Sequence, residues 1–391
     1  MPHLYDRFNA THSGMVITAG RSPGAGLVLN GMFEDGIDQQ VQQFEPIEGP
    51  LRATNFDPAR LLSGSVAAFS PSGHIYGLPV SQAPRCLWWR TDAFAAAGLT
   101  APDPLWSLAD FESACATLQG LAAGGRLRNL EFALGPMLGR YTVVDKHGQV
   151  VAGFPGALES GGLWEAFALG FGGSVVDAGR FRLTGAQTLV GLARVVDIAR
   201  PYSLPTAAAP IPAESMAAFS DRYAMEFTAY SPPGGSTPPD LPRHDSRWKY
   251  VRLPVFPATP IIPTAYWGEG VTAGSAAPYT DAAARFLLWL FEQEPQALLA
   301  AADIPPVLAD PAVQGAFWTN AAPATQAVGD WRHFVDYPEG WPATPPNSIV
   351  AQALEQAVKD PPALADALAQ ADRQMNAWVD ARAAGKSPPA G

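Results

Sequence analysis

Tyr266, Trp267, Gly268, Glu269 and Gly270 put two aromatic rings, two glycines and one carboxylate side by side. Glycine lets a backbone or a ligand approach closely. A Trp ring offers a flat apolar face, and a carboxylate accepts hydrogen bonds from hydroxyls. Such a set suits a polar ligand with apolar faces, a sugar being the obvious case. It equally suits a buried Trp beside a tight turn, and residue types alone leave both readings open.

Other chemistries find less support. Six histidines (His3, His12, His74, His147, His244, His333) are scattered, without a pair at metal-ligand spacing. There is no Gly-x-Ser-x-Gly elbow for acyl transfer. The loop from Arg21 to Gly26 lacks the lysine and hydroxyl of a phosphate loop, and Gly268-Glu269-Gly270 with Gly274 follows prolines, not a clean buried strand. Acidic residues are plentiful but no pair stands out for glycoside hydrolysis. The sequence therefore predicts neither a catalytic constellation nor a cofactor.

The bulk numbers bound the class. A chain of 391 residues is long for one core, so two lobes are expected. A net charge of −11 without a basic run argues against nucleic acid and anionic membrane surfaces. No apolar run reaches membrane-spanning length, and Met1 to Gly26 shows no hydrophobic signal core, so this sequence is expected to lack an export signal. Cys86 and Cys115 are the only cysteines. Cys115 falls on an apolar helix face, which favours a buried thiol.

The elements that must position these residues alternate between strand and helix patterns, a mixed and mostly α/β order. Leu4 to Asn9 reads as the end of a helix and Met15 to Thr18 as a short strand. His74 to Val80 reads as a strand broken by Pro79, with Cys86 to Arg90 a second one. Phe94 to Gly98 is a short helix ending on glycine, and Ser107 with Asp110 starts a helix. Asp145 to Gly148 turns a hairpin. Thr184 with Gln187 reads as a second capping box, and Thr280 and Asn347/Ser348 as further caps. Leu364, Leu368, Ala371, Met375 and Trp378 line one face of the last helix. Trp88, Trp289 and Trp378 read as core.

Four segments, in order, resemble the substrate-binding proteins of carbohydrate ABC importers, the extracellular solute-binding family. The first runs Ile75-Tyr76-Gly77-Leu78-Pro79, Leu87 to Phe94, Ala97 to Pro102 and Trp106 to Phe111. The second is Phe171 to Asp177, the third Phe219 to Met225, and the fourth Trp267 to Phe291 with Gln296 and Ile304-Pro305. Asn347 to Val379 matches the closing helices. The likeness covers roughly 70 to 380; the family's first strand is missing and Phe8 to Phe44 is short.

The resemblance implies a two-lobe periplasmic-binding-protein-like fold with an interlobe cleft and crossover hinge strands. Residues 1–84 and 264–308 would form an abbreviated N-terminal lobe, and 85–263 with 309–391 the C-terminal one. It implies a monomer that binds a sugar, hands it to ABC permease subunits, and works outside the cytoplasmic membrane without catalysis. A glycoside-acting enzyme and a transport-independent sensor or scaffold are the alternatives. Trp267 and Tyr266 would stack on a sugar ring and Glu269 would accept its hydroxyls. Tyr230, Gln82, Trp89 and Phe171 are further candidate contacts. Arg90 would form a bidentate pair with an acidic ligand or a surface ion pair.

Overall fold

A computed structural model describes residues 2–12, 16, 29–33, 43–62, 65–66, 69–70, 73–103, 105–159, 163–205, 210–229, 246–258, 264–272, 277–301, 304–320 and 347–384. In chain order the elements are α1 (Pro2–Thr11), β1 (Leu29–Phe33), β2 (Phe44–Glu45), α2 (Glu48–Ala53), β3 (Gly77–Arg90), α3 (Thr91–Ala97), α4 (Leu108–Ala123) and β4 (Phe132–Leu134). Then follow β5 (Arg140–Val144), β6 (Val150–Pro155), α5 (Leu163–Gly170), β7 (Val176–Asp177), β8 (Arg180–Phe181), α6 (Ala186–Tyr202), β9 (Ile211–Pro212), α7 (Met216–Ser220), β10 (Tyr223–Ala229) and β11 (Trp248–Arg252). The chain closes with β12 (Thr264–Thr272), α8 (Ala277–Trp289), α9 (Gln293–Ala301), α10 (Pro311–Asn320), α11 (Asn347–Lys359) and α12 (Leu364–Ala383).

The chain divides into two compact units: 1–83, 265–322 and 336–344 form one, and 84–264, 323–335 and 345–391 the other. In the first, β12 lies between β1 and β3, antiparallel to β1, with β2 also paired to it. Its core joins Leu4 and Phe8 of α1 to Leu78, Val80 and Val271 of the strands and to Phe286 and Trp289 of α8. Phe8 meets Phe286 edge-on, with ring centroids 5.1 Å apart. Helix α10 joins this unit and not the second, as 309–391 was expected to. Val313 is part of the same core, and the Gln314 amide donates to the carbonyls of Pro306 and Leu308 at 2.9 and 2.7 Å.

In the second unit the later half of β3 pairs antiparallel with both β10 and β11, while β4 runs parallel to β10. Phe111 of α4 packs on Phe227 of β10. The hairpin β5–β6 adds a small sheet with β9; Asp145 accepts from the His147 and Gln149 amides in its turn. On α12, Leu368, Ala371, Met375 and Trp378 are buried, as the helical spacing requires.

Ser107 and Asp110 form the reciprocal capping box read from the sequence, and Gly98 closes α3 at φ 72°, a left-handed value that favours glycine. Four local readings are corrected. The two strands around Pro79 are one strand, β3, because its partners β10 and β11 pair from Arg85 and Cys86 onward, just past Pro84, and need no donor from that proline. Thr184 caps nothing: its hydroxyl donates to Asp372 of α12, and Gly185 is the cap position of α6. Helix α8 begins at Ala277, ahead of Thr280. Asn347 opens α11, but its side chain accepts the Trp164 indole N–H at 3.0 Å. The strand expected over Met15 to Thr18 and the loop from Arg21 to Gly26 lie outside the described residues, Val16 apart.

Helices α5 and α6 approach so closely that a Cβ on Gly191 would sit 2.3 Å from the Phe167 carbonyl oxygen. Alanine is worth roughly 1 kcal/mol over glycine inside a helix, yet backbone cannot yield here as a side chain can. Gly191→Ala is expected to lower stability by about 1–3 kcal/mol, read as a lower urea midpoint; a raised midpoint would refute the close approach.

Candidate functional site

In open α/β sheets, ligands sit beyond the carboxyl ends of the parallel strands. In the larger sheet of the second unit β4 and β10 pair in parallel, so that end is where its site is sought. Leaving β4, the chain enters Gly135, whose amide donates to the Met225 carbonyl at 2.7 Å. A Cβ on Gly135 would lie 3.0 Å from the Tyr223 ring and 3.3 Å from Glu226 Cγ, so glycine is what lets this segment touch both. The Ser203 hydroxyl donates to the Gly135 carbonyl and accepts from the Met137 amide, each at 3.0 Å. This clasp holds the 135–137 segment against Glu226.

Glu226 is buried and accepts the Tyr223 phenol at 3.1 Å. Strand register sets the rest of the group on its sheet face: Trp88 stands opposite Glu226, Tyr250 opposite Trp88, and Arg252 and Thr228 opposite Cys86. The Trp88 and Tyr250 rings meet edge to face at 4.0 Å. Arg252 is buried, Trp88 half-buried. One face thus assembles a carboxylate that accepts, a guanidinium that donates, and aromatic rings with apolar surfaces. Among the described residues no cluster of His, Cys, Asp or Glu could hold a metal. Burial pushes the Cys86 thiol well up, with Arg85 opposing and Glu226 adding to the shift. Both cysteines are buried and free.

Of the residues singled out from the sequence, Gln82 and Glu269 belong to the first unit and Trp89, Arg90 and Phe171 to the second. Arg90 is 1% exposed. Its Nε and one terminal nitrogen donate to the two Asp92 oxygens at 3.0 and 2.7 Å, and the other terminal nitrogen donates to the Asp221 carbonyl at 2.8 Å. The bidentate partner is thus a carboxylate of the protein, one residue into α3, and the surface ion pair is excluded by burial. Burial by itself would raise Asp92, but the hydrogen bonds and charge of Arg90, with Arg247 behind, hold it below its usual range. Trp89 is half-buried and tilts against Phe94, ring centroids 4.9 Å apart.

Gln82 is buried and donates to the Pro306 carbonyl at 2.7 Å, which makes it a brace inside the first unit. Glu269 is buried on the strand face that also carries core residue Val271, so it does not present its oxygens as a surface turn would. Phe171 is half-buried at the end of α5. The backbone of Tyr266 and Trp267 lies within β12, with Trp267 opposite Phe33. Their side chains, and all of Tyr230, lie outside the described residues. Glu226, Arg252 and Tyr250 went unread, while Trp88, read as core, does pack against the buried cluster of Tyr223 and Trp248. The available signal was a charged residue inside each strand pattern, Glu226 between Met225 and Phe227 and Arg252 after Val251.

With this geometry in place, the relatives can be compared. The family model for bacterial extracellular solute-binding proteins matches residues 24–297, and the chain belongs to that family. Its members bind solutes for import and are not enzymes. No curated protein matches the sequence. Among solved structures, the cyclic alpha-maltosyl-1,6-maltose binding protein of Arthrobacter globiformis aligns with TM-score 0.63 at 16% identity, over 96% of this chain and 94% of that one. UgpB of Mycobacterium tuberculosis, in complex with glycerophosphocholine, aligns with TM-score 0.63 at 15% identity, over 97% and 95%. The sugar-binding protein MalE of Xanthomonas citri gives 0.61 at 15%, over 91% and 84%. The fold is that of the two-lobe solute-binding proteins. Among the described residues no helix is long and apolar enough to cross a membrane.

Truncating Arg90 would remove two donors from Asp92, which keeps the Ala93 amide and the charge of Arg247, and one from the carbonyl of Asp221. Asp92 is only partly buried, so Arg90→Ala is expected to cost about 2–4 kcal/mol, short of the fully buried limit. Because the Asp92 value is depressed, the pair stabilises above the ordinary carboxylate range and fades as pH falls through it. Urea titrations at pH 7 and pH 3 should show the wild-type advantage shrinking in acid; an equal advantage at both would contradict the pairing.

Proposed function

We propose that this chain is the substrate-binding component of an ABC importer, that it works outside the cytoplasmic membrane as a monomer, and that its ligand is a carbohydrate. The observation that carries the ligand class is the sheet-face group in the second unit: Glu226, Arg252, Trp88 and Tyr250 on one face. A polyol presents hydroxyls that both donate and accept around its rim, and C–H faces above and below. A carboxylate and a guanidinium answer the rim, and indole and phenol rings answer the faces. Family membership supports capture for transport, and two structural neighbours, a cyclic alpha-maltosyl-1,6-maltose binding protein and the sugar-binding protein MalE, agree with the ligand class. On the first unit, Trp267 and Tyr266 remain the proposed stacking residues, on their position in β12.

The test is a thermal-shift screen of the whole chain against mono-, di- and oligosaccharides, with amino acids, polyamines and glycerol phosphodiesters as controls. A ligand at about a hundred times its Kd adds roughly 2.7 kcal/mol, which is several degrees at about 2–4 °C per kcal/mol. A shift with one sugar class is expected, reduced at least tenfold in affinity by Glu226→Gln and by Trp267→Ala. A shift only with a control class would overturn the carbohydrate reading, and binding unaffected by Glu226→Gln would remove the sheet-face group from it.

A further inference from the structure

Glu269 is set apart from the ligand chemistry above by its surroundings. It lies on β12, opposite Gly31, a residue with no side chain to offer. Two residues along the same strand face, Val271 is fully buried in the first unit's core with Leu4 and Phe8 of α1. The carboxyl therefore projects toward α1, where burial and the charge of Glu269 both push the Tyr5 phenol up. Glu269 is 8% exposed, and among the described residues it makes no hydrogen bond or ion pair.

The elements packed around it bring no cation to this face among the described residues. On α1 the facing group is Tyr5, while Arg7 is exposed and bonded to Glu294. On β2, Glu45 stands opposite Val271, on the same strand face. On β3 the neighbouring core residues are Leu78 and Val80, and on α8 Arg285 is exposed. A neutral carboxyl is tolerated in such a place; a carboxylate is costly. Burial alone pushes Glu269 up to about 7.

We propose that Glu269 is a pH-sensitive lock on the N-terminal helix: un-ionised, it leaves α1 seated on β12 and α8, and ionised, it loosens that seat. The folded value lies above the unfolded one, so the stability it allows is fully present below the unfolded carboxylate range. It is lost as pH rises through about 7. A protein outside the cytoplasmic membrane meets that range as its surroundings change, so the lock would tie the first unit's rigidity to external pH.

Hydrogen exchange of the whole chain, corrected for intrinsic rates, reads this directly at pH 6.0 and 8.5 (roughly a unit either side of the titration). Taking about 7 in the folded state and the ordinary 4.5 when opened, protection of the Asp6 to Thr11 amides should fall about tenfold between the two conditions. The amides of α12, in the second unit, should show no such change. Glu269→Gln should abolish the pH dependence while keeping α1 protected, and Glu269→Leu should do the same if the amide folds poorly. The same tenfold loss in either variant, or no loss in wild type, would overturn the proposal. Sugar binding is not needed for any of these outcomes.

Discussion

A single extended strand imposes the constraint on which this architecture rests. Strand β3 carries backbone donors and acceptors for fourteen residues, and each buried one must find a partner. Its early residues are satisfied by β12 and its late residues by β10 and β11. Pro84, which has no N–H, stands where one set of partners gives way to the other. At this proline the chain passes from the first unit to the second. Each unit then builds its own apolar core around its share of the strand.

Both units spend buried polar side chains on bracing. In the first, three glutamines hold the segment from Pro305 to Leu308. Gln82 and Gln314 donate to the Pro306 carbonyl, and Gln296 donates to Leu290 and accepts from Val307. A proline pair cannot donate, so the segment depends on its carbonyls and on side-chain amides to be fixed. In the second, Arg90 ties the end of β3 to the first turn of α3 and to the 221–223 backbone. In each case the strength comes from hydrogen bonds made in a low-dielectric interior, not from charge alone.

The group on the second unit's sheet face depends on such bracing too. Gly135 can lie on Tyr223 and Glu226 only because it lacks a side chain, and Ser203 fixes it there through two hydrogen bonds. Glu226 is then oriented by the Tyr223 phenol. A group so held is pre-organised for the ligand proposed above, which lowers the ordering cost of binding. Glu269 follows the opposite logic, being buried without a partner among the described residues and left to change its charge.

Local chemistry was legible in the sequence wherever the determinant was itself local. The Ser107–Asp110 box, the glycine stop at Gly98, the Asp145 turn and the apolar stripe of α12 all depend on neighbours within a few residues, and all stand as read. The ordered family segments gave the two-lobe fold. What the sequence could not decide was where a polar side chain ends up. Thr184 looks like a cap but meets Asp372, Asn347 meets Trp164, Gln82 meets Pro306, and Arg90 meets Asp92 and Asp221. Apart from Asp92, those partners lie more than a hundred residues away in the chain. Likewise Glu226, Trp88, Tyr250 and Arg252 become one group only through the register of three strands. A strand's two-residue period assigns a side chain to a face, while its tertiary partners decide whether that face is a core, a brace or a place for a ligand.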